Sequence, residues 1–375
     1  MYVALRRGLL EGSSTRLLKT TTLLSSSSFS SSSASGIARV AVVGSGTLGT
    51  QVSLQTALCG FEVRVLDTSP AALDKCAAVH KSLLKMYVER SNPEHPEGQA
   101  RAWRGIAKPG ESASQVASET LRRIRYTTSA EEALRGCDLV SENVPEIPEI
   151  KSATYQKLHE HCPSHTIFTT NSSTLLPSQF ASLTGRSSQF LALHFANGIW
   201  DANIAEVMPH AGGEAPAKGA EGTDPEVVDR VLRFAEEIRM VPFTLTKEQS
   251  GYIINSLLVP WLHSSLSLVR KGVSSPRDVD RAWLISVGGF RGPPGAVKGP
   301  FQIMDIIGLP IVSHIMSYWG TQLKDEQMRA NGAFVKENYV DRGKLGIMNL
   351  NPLSDEAEGF YSYPNPEFLR ADFLD

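Results

Sequence analysis

The chain has 375 residues, with 37 Lys and Arg against 39 Asp and Glu, and four cysteines that never fall as C-x-x-C. That length gives room for one or two full cores, while a formal charge of -2 supplies no basic field for a nucleic-acid backbone. The cysteine spacing suggests neither a zinc cage nor a disulfide framework, and the longest apolar run, 252–262, is interrupted by Asn255, Ser256 and Pro260, so no nucleic acid, membrane span or metal is expected.

Residues 1–36 stand apart: Arg6, Arg7, Arg16 and Lys19 face a single acid, Glu11, and eleven serines crowd the stretch. The apolar clusters are too short and broken for a secretory signal, so a mitochondrial-type targeting segment is predicted, and with it a matrix location. From Ala38 short β-branched runs alternate with helical ones: ARVAVVG, a helix to about Cys59, then EVRVLD at 62–67. Between Ser69 and Leu121 the pattern turns long, charged and helical, with Pro93, Pro96, Pro109 and Gly110 near its middle, and reads as an inserted helical hairpin. Further apolar runs at 137–143, 166–171, 189–195, 204–208 and 240–246 predict an open, mainly parallel sheet covered by helices on both faces. After Thr246 amphipathic stretches (250–272, 275–286 and 311–339) predict an all-helical second domain over 247–340, and the proline-rich 341–375 reads as an irregular C-terminal extension.

Gly44-Ser-Gly46-Thr47-Leu48-Gly49 follows a predicted strand and opens a predicted helix, the context in which such a motif binds a pyrophosphate. Gly44 allows the turn, Gly46 the approach of backbone N–H groups, and Gly49 close helix–strand packing. The second strand ends in Asp67, 23 residues after Gly44, where an acid accepts from the adenosine ribose and repels a 2′-phosphate. Residues 37–246 are therefore predicted as an α/β, Rossmann-type, doubly wound domain binding NAD, followed by the all-α C-terminal domain.

Oxidising an alcohol with a nicotinamide needs a base for the hydroxyl proton, and imidazole suits that exchange near neutrality. His80, His95, His159, His161, His165 and His210 lie on charged or loop stretches and are expected in solvent. His194 ends the apolar strand FLALH, where open α/β sheets bind ligands.

The motifs NSST-L (171–175), L-HFAN (193–197), AEV (205–207), SGYIIN (250–255) and GPFQIMDIIG (299–308), following the glycine motif, resemble the L-3-hydroxyacyl-CoA dehydrogenase family in order and spacing. The resemblance implies an enzyme that interconverts (S)-3-hydroxyacyl-CoA and 3-ketoacyl-CoA with NAD, as a homodimer. It implies His194 as general base, Glu206 as its partner, and Ser173 and Asn255 on the substrate oxygen or thioester. It also implies Glu142, Lys151, Asn171 and Asn197 at the cofactor, beside Gly44, Gly46, Thr47, Leu48, Gly49 and Asp67, and Ser82, Lys85 and Arg90 of the hairpin meeting the CoA phosphates.

The chain departs from the pattern at Ala196 and Gly198, at Ser250 and Ser256, and in the longer insert 288–298. Two alternatives stay open: a dehydrogenase of a CoA-free hydroxy acid or carnitine-like alcohol, and a non-catalytic, crystallin-like protein that retains NAD.

Overall fold

The first strand, β1 (Arg39–Val43), reads RVAVV and is buried from Val40 onward, as β-branched side chains covered by helices on both faces should be. The computed structural model to which it belongs describes residues 33–95, 98–212, 221–289, 297–347 and 357–374. Most of the predicted targeting segment, and parts of the 210–225 loop, the 288–298 insert and the 341–375 extension, lie outside the described residues. From β1 the chain turns at Gly44, enters α1 (Thr47–Leu58) and returns as β2 (Glu62–Leu66), parallel to β1.

Two helices follow. Ser69 accepts from the Ala72 N–H and Pro70 stands at the first helical position, fixing the start of α2 (Pro70–Arg90). A reciprocal capping box of Ser112 and Gln115 opens α3 (Ala113–Arg123). The chain then forms a strand that the apolar pattern does not announce, β3 (Ile124–Thr127), paired with β2 at the sheet edge. Only Ile124 and Thr127 of its four residues are buried, and Arg125 is exposed, so its hydrophobic signal is short and half-strength.

Next come α4 (Ala130–Leu134), β4 (Leu139–Glu142), α5 (Pro148–His161), β5 (Ile167–Thr170), β6 (Phe190–Phe195), β7 (Ile204–Met208), α6 (Pro225–Glu237) and β8 (Val241–Thr244). They complete a sheet ordered β3-β2-β1-β4-β5-β6-β7-β8 in which the β6–β7 pairing is antiparallel and the others parallel. The loop 196–203 is too short for a crossover helix, so β7 must run back beside β6. That register sets His194 directly opposite Glu206.

The helical part holds α7 (Ile254–Arg270), α8 (Pro276–Ser286), α9 (Pro300–Ile307), α10 (Leu309–Gln322) and α11 (Glu326–Asn338). The amphipathic stretch 311–339 is two helices, broken at Lys324, whose φ is 56°, and restarted by Asp325 capping the Met328 N–H. The C-terminal residues are less irregular than expected: β9 (Ala357–Glu358) and β10 (Ser362–Tyr363) pair, and Tyr361 and Phe373 join Leu262, Phe301, Met304 and Met316 in one core. Two buried aspartates tie this segment down. Asp280 accepts from the N–H groups of Phe301 and Gln302 and from the Tyr361 hydroxyl. Asp305 accepts from the N–H groups of Phe360 and Tyr361 and from the Tyr363 hydroxyl.

Two histidines expected in solvent are buried instead. His80 sits between α1, α2 and β3, hydrogen-bonded to the Tyr126 hydroxyl, the Thr50 carbonyl and Ser53, and burial pushes its pKa down to about 4. His210 bonds the Ser187 carbonyl and accepts from the Gly212 N–H. All four cysteines are free thiols.

Candidate active site

At the C-terminal ends of β1, β2 and β4 lies a cleft of about 800 Å³, lined by Gly44, Ser45, Gly46, Thr47, Asp67, Thr68, Lys75, Thr128, Asn143 and Pro145, among others. Its floor follows from the glycines. Gly44 has a φ of 95°, and a Cβ there would meet the Asn143 carbonyl; a Cβ on Gly49 would collide with the Gly44 carbonyl. Gly46 has open space on its Cβ side and stands at the N-cap of α1, so a phosphate can lie against the helix N-terminus. Asp67 closes one end. Burial alone would raise its pKa, yet the Ser45 hydroxyl, at 2.6 Å, and the N–H groups of Ser69 and Ser45 outweigh it and hold the carboxylate below its ordinary range. This cradle fits a dinucleotide: a helix N-terminus for the pyrophosphate, with an ionised acid at the end of the next strand.

The second cluster stands two strands further along the same sheet edge, outside the lining of the cleft. His194 is 5% exposed; its Nδ1 lies 2.9 Å from Glu206 Oε2 and its Nε2 lies 3.1 Å from Ser173 Oγ. The other oxygen of Glu206 accepts from the N–H groups of Ile253 and Ile254 at the start of α7, at 2.8 and 3.0 Å. Burial pushes the Glu206 pKa up, but the hydrogen bond from His194 and the two backbone donors outweigh it, and the carboxyl is held below its usual range. An ionised Glu206 keeps the proton on Nδ1 and leaves the Nε2 lone pair facing Ser173. This is a chain of hydroxyl, imidazole and carboxylate suited to moving one proton.

The other residues singled out in the sequence divide. Thr47 and Asp67 line the cleft, whereas Leu48 turns its side chain onto the hydrophobic core, leaving only its backbone near the cradle. Asn255 lies in the first turn of α7, half-buried, and Asn197 is exposed three residues beyond His194. Glu142, Lys151 and Asn171 are engaged within the protein. Glu142 is fully buried and accepts from Lys151 Nζ, the Tyr155 and Thr170 hydroxyls and the Val144 N–H, so its oxygens are saturated within the protein. Lys151 is 1% exposed and bonded to Glu142 and to the Val144 carbonyl. Asn171 braces β6, donating to Asn143 and accepting from the Phe195 N–H.

Of the hairpin residues, Ser82 and Lys85 are exposed on α2, Lys85 beside Glu89. Arg90 has a buried guanidinium, doubly hydrogen-bonded to Asp201 at 2.9 Å and bonded to the Gly98 carbonyl.

Three further residues hold the site. Gln51, buried in α1, accepts from the Gly198 N–H and so anchors the loop that follows β6. Glu146 takes the Ser172 hydroxyl and the Thr174 N–H and hydroxyl, gripping the turn on both sides of Ser173. Tyr252 lays its ring flat on the His194 imidazole, centroids 4.3 Å apart and planes 11° from parallel. No residue type marks Gln51 or Tyr252 as a site residue in a linear sequence. Glu146 stood in the segment with Glu142, and only burial separates their roles.

Comparison with known proteins adds what geometry alone cannot. Residues 39–249 match the family described as 3-hydroxyacyl-CoA dehydrogenase, NAD binding domain, and residues 251–363 match its C-terminal domain. The mitochondrial hydroxyacyl-coenzyme A dehydrogenase of Rattus norvegicus is 27% identical over 87% of this chain and 91% of its own. The 3-hydroxybutyryl-CoA dehydrogenase of Clostridioides difficile is 27% identical over 84% of this chain and 99% of its own. Among solved structures, a diketoreductase described as acting on dicarbonyl compounds is 39% identical, with a TM-score of 0.68, covering 87% of this chain and 99% of its own.

Proposed function

The chain belongs to the 3-hydroxyacyl-CoA dehydrogenase family, and from that premise we propose that it interconverts (S)-3-hydroxyacyl-CoA and 3-ketoacyl-CoA, with His194 as the general acid/base. The observation that carries the reading is the unbroken series Ser173 Oγ, His194 Nε2, His194 Nδ1, Glu206 Oε2. NAD, held by Gly44, Gly46, Thr47 and Asp67, supplies the hydride acceptor when bound. His194 Nε2 takes the proton of the 3-hydroxyl, and Ser173 Oγ holds the same oxygen. Glu206 fixes the ring's tautomer and stabilises the imidazolium that forms, as a carboxylate does behind any catalytic histidine. Asn255 meets the substrate oxygen or the thioester from α7. In the reverse direction the imidazolium returns its proton to the ketone oxygen.

A second reading has its own support. The 39% identical diketoreductase spans nearly its whole length against this chain, and Arg90 is committed to Asp201. Both favour a CoA-free dicarbonyl or hydroxy acid on the same three residues. The test is NADH consumption by the full chain with acetoacetyl-CoA, beside free acetoacetate, dehydrocarnitine and a simple β-diketone. Turnover confined to the thioester supports the first reading; reduction of only the free ketones replaces it with the second; NADH binding without turnover of any of them leaves the non-catalytic alternative.

The location and assembly follow the same logic. The basic, serine-rich 1–36 and mitochondrial relatives such as the rat enzyme support import into the matrix, checked by whether a fluorescent fusion carrying residues 1–36 co-purifies with mitochondria. Leu257, Leu268, Val273, Trp283, Ile285 and Val287 are exposed on α7, α8 and the turns that follow them, an apolar surface that supports a homodimer. Light scattering that gives the monomer mass at micromolar concentration would refute that assembly.

A further inference from the structure

Tyr252 combines three features that packing alone does not require. It is 1% exposed and not glycine, yet its φ is 51°, in the left-handed region that L side chains avoid. Its hydroxyl is enclosed without a hydrogen-bond partner among the described residues. Its ring lies flat against the imidazole of His194. A strained backbone and an unpaired phenol are both unfavourable, and what they secure is the stacked ring.

The need for that ring follows from the hydrogen bonds. The imidazole turns about its Cβ–Cγ bond, and hydrogen bonds at Nδ1 and Nε2 tolerate small turns by bending; a contact on the ring face resists such turns directly. When a substrate oxygen takes the place of Ser173 at Nε2, the face contact persists while the edge contact is exchanged. Tyr252 cannot retreat, because Ala192, Met208, Leu245 and Leu176 wall in its ring. Its neighbours in the chain hold the rest of the site: the Gly251 N–H donates to the Ser173 carbonyl, and the N–H groups of Ile253 and Ile254 hold Glu206.

We propose that Tyr252 is a positioning residue for the reaction, its ring setting the plane of the His194 imidazole from the junction that also holds Ser173 and Glu206. The proposal rests on the reading of His194 as the general acid/base. The hydroxyl is not the working part: burial first, then the charges of Glu146, Glu206, Glu142 and Glu248, push its pKa far above the ordinary phenol range, so it stays protonated.

The test compares Tyr252→Phe with Tyr252→Met in the full chain, two unbranched side chains that meet the same backbone strain, Met filling similar space without a flat face. Each is assayed with both acetoacetyl-CoA and a free β-diketone, with NADH affinity and thermal melting alongside. Tyr252→Phe is expected to keep the wild-type kcat. Tyr252→Met is expected to lose about 10- to 100-fold in kcat, the range for a misplaced catalytic group, with KM and NADH affinity near wild type. A Met variant with unchanged kcat, a loss confined to KM, or a Phe variant as slow as the Met variant would each overturn the proposal. If the Met variant does not fold, Tyr252→Leu takes its place under the same criteria.

A readout independent of turnover separates this proposal from the substrate assignment. In protein labelled at histidine, the His194 ring protons should carry the shielding of a stacked aromatic in wild type and Phe, and lose it with line broadening in Met. Sharp, unshifted His194 signals in the Met variant would overturn the positioning role even if none of the substrates is turned over.

Discussion

Between Ser173 and Glu206 the His194 ring has one orientation open to it, and Glu206 decides which nitrogen is free. Replacing Glu206 with Gln keeps an acceptor for the N–H groups of Ile253 and Ile254 but can turn an amide donor toward Nδ1, which favours the opposite tautomer. A loss of about 10²- to 10⁴-fold in kcat is expected, with NADH affinity unchanged in a fluorescence titration. The same variant reports on stability. Because the folded Glu206 pKa is depressed, its contribution is full above the ordinary glutamate value of about 4.3 and is lost as pH falls through the folded value. The acid limb of the melting temperature should therefore be shallower in Glu206→Gln than in wild type. This pair was legible in the sequence because a strand-end histidine and an acid twelve residues later also match a family motif. The contacts that Glu142, Lys151 and Asn171 make within the protein were not legible, because the residue types that grip a ribose also satisfy buried partners, and a linear sequence carries no burial.

Elements show the same division between strong and weak local signals. The Gly44–Gly49 turn, β1, α1 and β2 were readable because each local rule, strand run, glycine spacing and terminal acid, points to one structure. β3 was not, since four residues with an exposed arginine at a sheet edge carry little periodicity. The break inside the amphipathic 311–339 stretch was hidden because it rests on a single left-handed residue, Lys324, a conformation that lysine does not announce. The tie between α9 and the C-terminal hairpin was also hidden, because it depends on Asp280 and Asp305 meeting backbone groups 20 to 60 positions away. Burial pushes both carboxyls up, each to about 6. Raised acids contribute stability that is full below the unfolded carboxyl value and is lost as pH rises through about 6. Asp280→Asn, which cannot ionise, should flatten the change in melting temperature between about pH 4 and about pH 6, the span from the unfolded to the folded value; an equally steep profile in the variant would locate the dependence elsewhere.

Across the whole molecule the two halves meet at the chemistry. The segment 250–254 that opens the helical part supplies the Ser250 hydroxyl to the Thr174 carbonyl, the Gly251 N–H to Ser173, the Tyr252 ring to His194 and two N–H groups to Glu206. The sheet thus carries His194 and Glu206, and the helical part holds both. Among the described residues the lining of the cofactor cleft comes from the ends of β1, β2 and β4 and the helices beside them, with none from the helical part, so binding of the dinucleotide can be measured apart from turnover. That separation frames the most direct measurement: steady-state NADH consumption with acetoacetyl-CoA by the full chain and its His194→Ala variant, with NADH binding followed in parallel. The account predicts turnover in the full chain and a loss of about 10²- to 10⁴-fold in the variant, with NADH bound equally well by both. A variant that turns over as fast as the parent would contradict the assignment of His194 as the general acid/base.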